Sequence, residues 1–115
     1  MCIRDRSKTK MTEKELQLLF HALSDSIRLK MVKMVLKHGE LCVCNFLEYF
    51  NLSQPRISFH LRILRESKIF KARKDGRWVY YSLNKDNEGL NRVLPLIDKA
   101  ISENLDKISC EVKDG

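Results

Sequence analysis

The sequence predicts a mainly α domain that carries one β-hairpin, an α+β fold built as a single unit. Three observations predict it. Apolar residues recur at helical spacing from about residue 13 to 64. The period then shifts towards two over residues 69–83, where Asp75-Gly76 separates two strand-like runs. A last helical repeat follows, from about residue 87 to 108. A chain of 115 residues with 43% hydrophobic content suffices for one domain with a real core. No apolar run approaches the ~20 residues of a membrane span. The opening MCIRDRSKTK lacks the apolar centre of a secretory signal. With four Gly and two Pro, the chain is not low-complexity. A small, soluble, cytoplasmic, basic domain is expected.

Each element has its own local reason. Thr12-Glu13-Lys14-Glu15 is a capping-box pattern, and Leu16, Leu19, Phe20 and Leu23 follow it, so a first helix is expected over about 13–22. Ser24 or Asp25 can cap a second helix, with Ile27, Met31, Val32, Met34, Val35 and Leu36 as its apolar face and Gly39 as its end. Cys42 to Phe50 reads as a short third helix, and Asn51-Leu52 as a turn. Ser53 caps a fourth helix with Pro55 in its first turn. That helix buries Ile57, Leu61 and Leu64 and shows Gln54, Ser58, Arg62 and Arg65 on a neighbouring flank. Residues 69–74 and 77–83 are the strands. In the last helix, Leu90, Leu94, Ile97, Ile101, Leu105 and Ile108 repeat. Pro95 means that this helix either kinks there or begins shortly before it.

Two helices joined by a tight turn, followed by a hairpin, make a winged helix-turn-helix, expected over residues 11–108. Residues 1–10 are expected to be a disordered or non-native tail, and 109–115 a second tail. The charge follows this architecture. The chain carries 22 Lys and Arg against 15 Asp and Glu, a formal net charge of +7. Residues 56–77 alone hold eight basic side chains and two acids, so the surplus lies in the fourth helix and the hairpin. Duplex DNA is the expected partner. The fourth helix would enter the major groove with Ser53, Gln54, Arg56, Ser58, His60, Arg62 and Arg65. Lys71, Arg73, Lys74 and Arg77 would lie along the backbone or in the minor groove. His60, beside the Ile57/Leu61 stripe, fits either a packing role or a DNA contact. The apolar stripes of the first and last helices exceed what so small a core can cover. A homodimer through them would set two recognition helices ~34 Å apart.

There are four cysteines, at 2, 42, 44 and 110. A cytoplasmic domain keeps thiols reduced, so a disulfide scaffold is not expected. Cys42-Val43-Cys44 is compatible with two small core cysteines and equally with a pair of thiolates holding a soft metal or metalloid. In a regular helix, side chains two residues apart point ~200° from one another, so sharing one ion would need a non-helical first turn.

Residues 16–83 resemble the ArsR/SmtB family of winged-helix metalloregulatory repressors. Leu23-Ser24-Asp25 with Arg28-Leu29, Leu52-Ser53-Gln54-Pro55 with Ser58 and His60-Leu61, and Gly76-Arg77-Trp78-Val79-Tyr80-Tyr81 carry the likeness. Glu40-Leu41-Cys42-Val43-Cys44 is similar to the thiol box of its arsenic-responsive members. The resemblance implies a homodimeric, DNA-binding repressor of an arsenic-resistance operon, with no cofactor needed for DNA binding and no membrane partner. It implies release from the operator when As(III) or Sb(III) binds Cys42 and Cys44. The family's box often continues with Asp and a third Cys, where this chain has Asn45 and Leu47. The third ligand is then Cys110, Cys2 or a non-protein group. A Cd(II)/Pb(II)- or thiol-redox-responsive repressor is the alternative. A zinc site on the last helix is not expected, since Asp98 has no His beyond His60 to join it. No catalytic triad, phosphate loop or carboxylate pair is present, so an enzyme is not expected.

Overall fold

A computed structural model describes residues 11–101. Its elements run α1 (Glu13–Leu23), α2 (Ser26–His38), β1 (Glu40–Cys42), α3 (Val43–Phe50), α4 (Gln54–Glu66), β2 (Phe70–Asp75), β3 (Trp78–Leu83) and α5 (Glu88–Ala100). The fold is a winged helix-turn-helix.

The helix starts follow from their caps. Thr12 Oγ1 accepts the Glu15 N–H at 3.1 Å, and Glu15 Oε1 accepts the Thr12 N–H at 3.1 Å, the reciprocal capping box. Asp25 caps α2, its Oδ2 accepting the Arg28 N–H at 3.2 Å. Ser24 instead closes α1, donating its hydroxyl to the His21 carbonyl at 2.7 Å. Gly39 ends α2 at φ 94°, a conformation open to a residue without Cβ. Ser53 Oγ accepts the Arg56 N–H at 3.4 Å and starts α4. Asn51, at φ 56°, makes the left-handed turn between α3 and α4.

Two expectations change. The short third helix begins at Val43, because Glu40–Cys42 is a strand. β1 pairs antiparallel with β3, matching Glu40 to Ser82, Leu41 to Tyr81 and Cys42 to Tyr80. The wing is therefore a three-stranded sheet of order β1-β3-β2 rather than a lone hairpin. Its tip is Gly76-Arg77, since Asp75 already pairs with Trp78, and Gly76 takes φ 66°. The last helix is the second change. It ends at Ala100, and Ile101 is extended, at φ −94° and ψ 102°. Pro95 lies inside it, so the helix does not begin there. Leu105, Ile108 and both tails fall outside the described residues.

The core gathers one face of every helix with the inner side of the sheet: Leu19 and Ala22, Met31, Val32, Met34 and Val35, Phe46, Ile57, Leu61, Leu64, Phe70, Leu90 and Ile97. Phe46 stacks on Phe70 with ring centroids 6.5 Å apart, fixing α3 against the wing. α5 rests on α1 through Gly89, where a Cβ would come within 2.8 Å of the Leu19 and Met11 side chains. Lys33 of α2 ion-pairs with Asp98 of α5. The monomer thus covers much of both terminal stripes. Leu16 (39%), Phe20 (56%) and Leu96 (68%) stay exposed. Among the described residues, no helix is long and apolar enough to cross a membrane.

The end of α4 has an unusual residue. The Ile69 N–H reaches the Leu64 carbonyl at 2.9 Å and the Lys68 N–H reaches the Arg65 carbonyl at 3.0 Å, the Schellman arrangement. Its left-handed position is filled by Lys68 at φ 65°, where glycine is usual. Asn84 and Asn87 side-chain amides both donate to the Lys68 carbonyl at 3.0 Å and hold that turn in place. Lys68→Gly is expected to raise unfolding stability in urea by about 1 kcal/mol, with the hairpin unchanged.

Candidate nucleic-acid interface and cysteine pair

The outward side of α4 and the wing carry the basic window. Ser53, Gln54, Arg56, Ser58, Arg62 and Arg65 are exposed, as are Lys71, Arg73, Lys74 and Arg77. Arg56, Arg62, Arg65, Lys74 and Arg77 form no ion pair with any described residue. Their field is therefore free to act on a polyanion.

His60 does not belong to that surface. It is buried, and its Nδ1 lies 3.1 Å from Arg28 Nη1. A guanidinium has only donors, so Nδ1 accepts and the imidazole is neutral. Arg28 Nε in turn donates to the Ala22 carbonyl at 2.7 Å, so this bridge links α1, α2 and α4 in the interior. Of the two roles open to His60 in the sequence, the structure selects packing. The signal was there: 57, 60, 61 and 64 complete one helical stripe. Burial pushes the His60 pKa below its ordinary 6.5, Arg28 and Arg56 push it the same way, and Asp25 opposes them.

Arg73 is likewise not a free wing cation. Its Nε and Nη2 donate to Glu40 Oε2 and Oε1 at 3.0 and 2.9 Å, a bidentate pair. Its guanidinium also lies 4.7 Å from the centre of the Tyr80 ring, and Asp75 is 3.8 Å away. The Arg73 hydrogen bonds, and after them its charge, lower the Glu40 pKa from its ordinary value, and burial opposes them. Lys71 lies 3.8 Å from Asp86. The wing is thus partly self-neutralised, while the α4 arginines are not.

Glu40 also opens the thiol box, so the clasp joins that box to the wing. Cys42 is 1% exposed and is the last residue of β1 and the N-cap of α3, at φ −104° and ψ 174°. Its N–H donates to the buried Asn45 Oδ1 at 2.9 Å, so Asn45 serves as the side-chain cap that an Asp would also supply. Cys44 is the second residue of α3. Because Cys42 is extended, the ~200° divergence expected within a helix does not apply to the pair. Cys42 keeps a free thiol, and Cys44 is disulfide-bonded. Among the described residues, no third His, Cys, Asp or Glu completes a metal cluster. Cys2 and Cys110 lie outside the described residues. Asp98 is engaged by Lys33, which lowers its pKa first by hydrogen bonding and then by charge.

The fold is a winged helix-turn-helix, the class of fold found in DNA-binding regulators, and it carries an exposed basic face. Residues 25–69 match the sequence model described as bacterial regulatory protein, arsR family. The chain is 34% identical over 90 residues to the arsenical resistance operon repressor of Bacillus subtilis, covering 78% of this chain and 83% of that protein. It is 45% identical over 67 residues to the arsenic resistance transcriptional regulator ArsR1 of Pseudomonas putida, covering 58% of this chain and spanning about half, 52%, of that relative's length. Among solved structures, HlyU of Vibrio cholerae superposes with a TM-score of 0.69 at 24% identity, covering 83% of this chain and all of that one, a likeness of fold. The chain belongs to the arsR family of bacterial regulatory proteins. The relatives from Bacillus subtilis and Pseudomonas putida are transcriptional regulators of arsenic resistance.

The His60 burial sets a pH dependence. A folded pKa below the unfolded 6.5 means that the unfolded chain binds the proton more readily. The stability from neutral His60 is present above pH 6.5 and is lost as pH falls through the folded value. Wild-type melting temperature should therefore drop more steeply between pH 7 and 5 than that of His60→Gln, which lacks the titration.

Proposed function

We propose that the chain represses a metalloid-resistance operon and leaves its operator when As(III) or Sb(III) is held by the Cys42 and Cys44 thiolates. The carrying observation is the position of the box. Cys42 ends a strand paired to the wing opposite Tyr80, and Cys44 opens the helix that turns directly into α4. In the reduced protein, As(OH)₃ would exchange two hydroxyls for the two sulfurs and release two waters. The third position would be taken by Cys110, Cys2 or a thiol from solution. The names of the relatives support arsenic as the signal. The operator would be double-stranded DNA, contacted by Ser53, Gln54, Arg56, Ser58, Arg62 and Arg65 of α4 and its cap, and by Lys71, Lys74 and Arg77 of the wing. Arg73 would position the wing while paired to Glu40. The free Cys42 thiol at the start of α3, two residues before Cys44, favours a second reading, in which peroxide oxidises two thiols to a disulfide, is itself reduced to water, and signals through the same helix start.

The test is a DNA-release titration of reduced protein with As(III), Sb(III), Cd(II), Pb(II), Zn(II) and peroxide, followed by fluorescence anisotropy. Arsenite should lower operator affinity by at least tenfold. The double variant Cys42→Ser, Cys44→Ser should keep its DNA and ignore arsenite. Release of that variant by arsenite would refute the inducer assignment, and release of the wild type by peroxide alone would favour the redox reading.

We propose further that a second copy covers Leu16 and Phe20 of α1 and Leu96 of α5, the exposed apolar residues of the terminal helices. Phe20→Lys is expected to shift the protein to a monomer in sedimentation. Because two half-sites are then engaged singly, its affinity for a palindromic duplex should fall by about tenfold or more.

A further inference from the structure

The core does not account for Phe59. It is 49% exposed in the middle of α4, where a large aromatic loses apolar burial and gains nothing in helix propensity. The buried stripe of α4 is Ile57, His60, Leu61 and Leu64. At 100° per residue, the direction facing away from that stripe passes between Pro55, Phe59, Arg62 and Glu66. Phe59 therefore shares the outward face with Arg62, three residues on, and has Arg56 three residues before it and Ser58 beside it. Arg56 and Arg62 are both exposed and form no ion pair among the described residues. An apolar ring surrounded by unneutralised guanidinium groups suits a polyanion that offers one apolar group at the right depth. Duplex DNA does so in the major groove, where the thymine C5-methyl is the apolar group on the base edges.

The ring is also held. It meets His60 edge-on, with centroids 5.4 Å apart and planes at 66°. His60 is fixed by Arg28, and Arg28 by the Ala22 carbonyl. An aromatic side chain buttressed from the interior loses little rotamer freedom on binding.

We propose that Phe59 is a specificity-determining residue that reads thymine by contact with its methyl group. The inference rests on α4 entering the major groove. It adds to that reading a base preference carried by a residue that forms no hydrogen bond with the DNA.

The experiment selects duplexes from a randomised pool with the full-length wild type, with Phe59→Ala and with Arg62→Ala, after thermal melts show all three folded. The wild type should enrich sites with a fixed thymine in each half. Replacing that thymine by deoxyuridine, which removes only the methyl, should weaken wild-type binding by about three- to tenfold. Phe59→Ala should relax that one position and show no deoxyuridine penalty, while Phe59→Leu retains part of both. Arg62→Ala should weaken binding and leave the thymine preference intact. If Phe59→Ala keeps the same thymine and the same penalty, the proposal is overturned while the groove reading stands. If no duplex is enriched and Arg62→Ala binds as the wild type does, the groove reading fails and takes the proposal with it.

Discussion

The three ladder pairs between β1 and β3 are the contact on which the arrangement turns. They join residues forty positions apart and convert a hairpin into a sheet anchored in the helical body. Leu41 then falls into the core, and Cys42 is left extended as the cap of α3. α3 leads through the Asn51 turn to α4, so the strand sets where α4 begins as well as where the wing stands. The Glu40–Arg73 clasp braces the same sheet from the edge strand to the far strand across β3, with Tyr80 beneath the guanidinium. Exposed pairs of this kind contribute little to stability, and the value of this one is geometric.

The charge surplus looks different once placed. Eight cations in residues 56–77 suggest a uniformly basic stripe, yet the wing spends two of them internally, Arg73 on Glu40 and Lys71 near Asp86. The field that remains is concentrated on α4 and at the wing tip, where Lys74 and Arg77 project. Non-specific attraction needs only the sum of charges, whereas register on a duplex needs them at fixed points. A wing arginine locked in place is worth more to register than to attraction.

Much of the fold was legible in the sequence because the devices that specify it are local. Thr12, Asp25 and Ser53 cap the helices they precede, Gly76 turns the hairpin, and the stripe of α4 is buried as its spacing requires. What was not legible is non-local. A strand of three residues has no alternation to read, and its evidence is a partner forty residues away. The pairing of Arg73 with Glu40 follows from that same strand and was hidden with it. His60 sat at a stripe position but is polar, and its acceptance into the interior depends on Arg28, thirty-two residues before it. Phe59 lies off the Ile57, Leu61 and Leu64 stripe, and its exposure agrees with that spacing.

The cysteine pair straddles the boundary between the wing and the helix that leads to α4, and this gives the proposed signal its physical route. One sulfur belongs to the end of a strand whose other face of hydrogen bonds is the wing. The other belongs to the first turn of the helix leading to α4. Drawing both onto one metalloid atom acts on the torsions around Val43, which neither the sheet nor the helix can absorb without moving. The sheet side resists through three ladder pairs and the Glu40–Arg73 clasp. The helix side is held at its start by a reciprocal capping box, in which the Cys42 N–H donates to Asn45 Oδ1 and the Asn45 N–H reaches the Cys42 side chain. In the proposed release, strain at the pair would reach α4 through the first turn of α3 and the Asn51 turn. An operator contacted by both elements would require them in register at once, so a shift of one relative to the other would lower affinity without unfolding either.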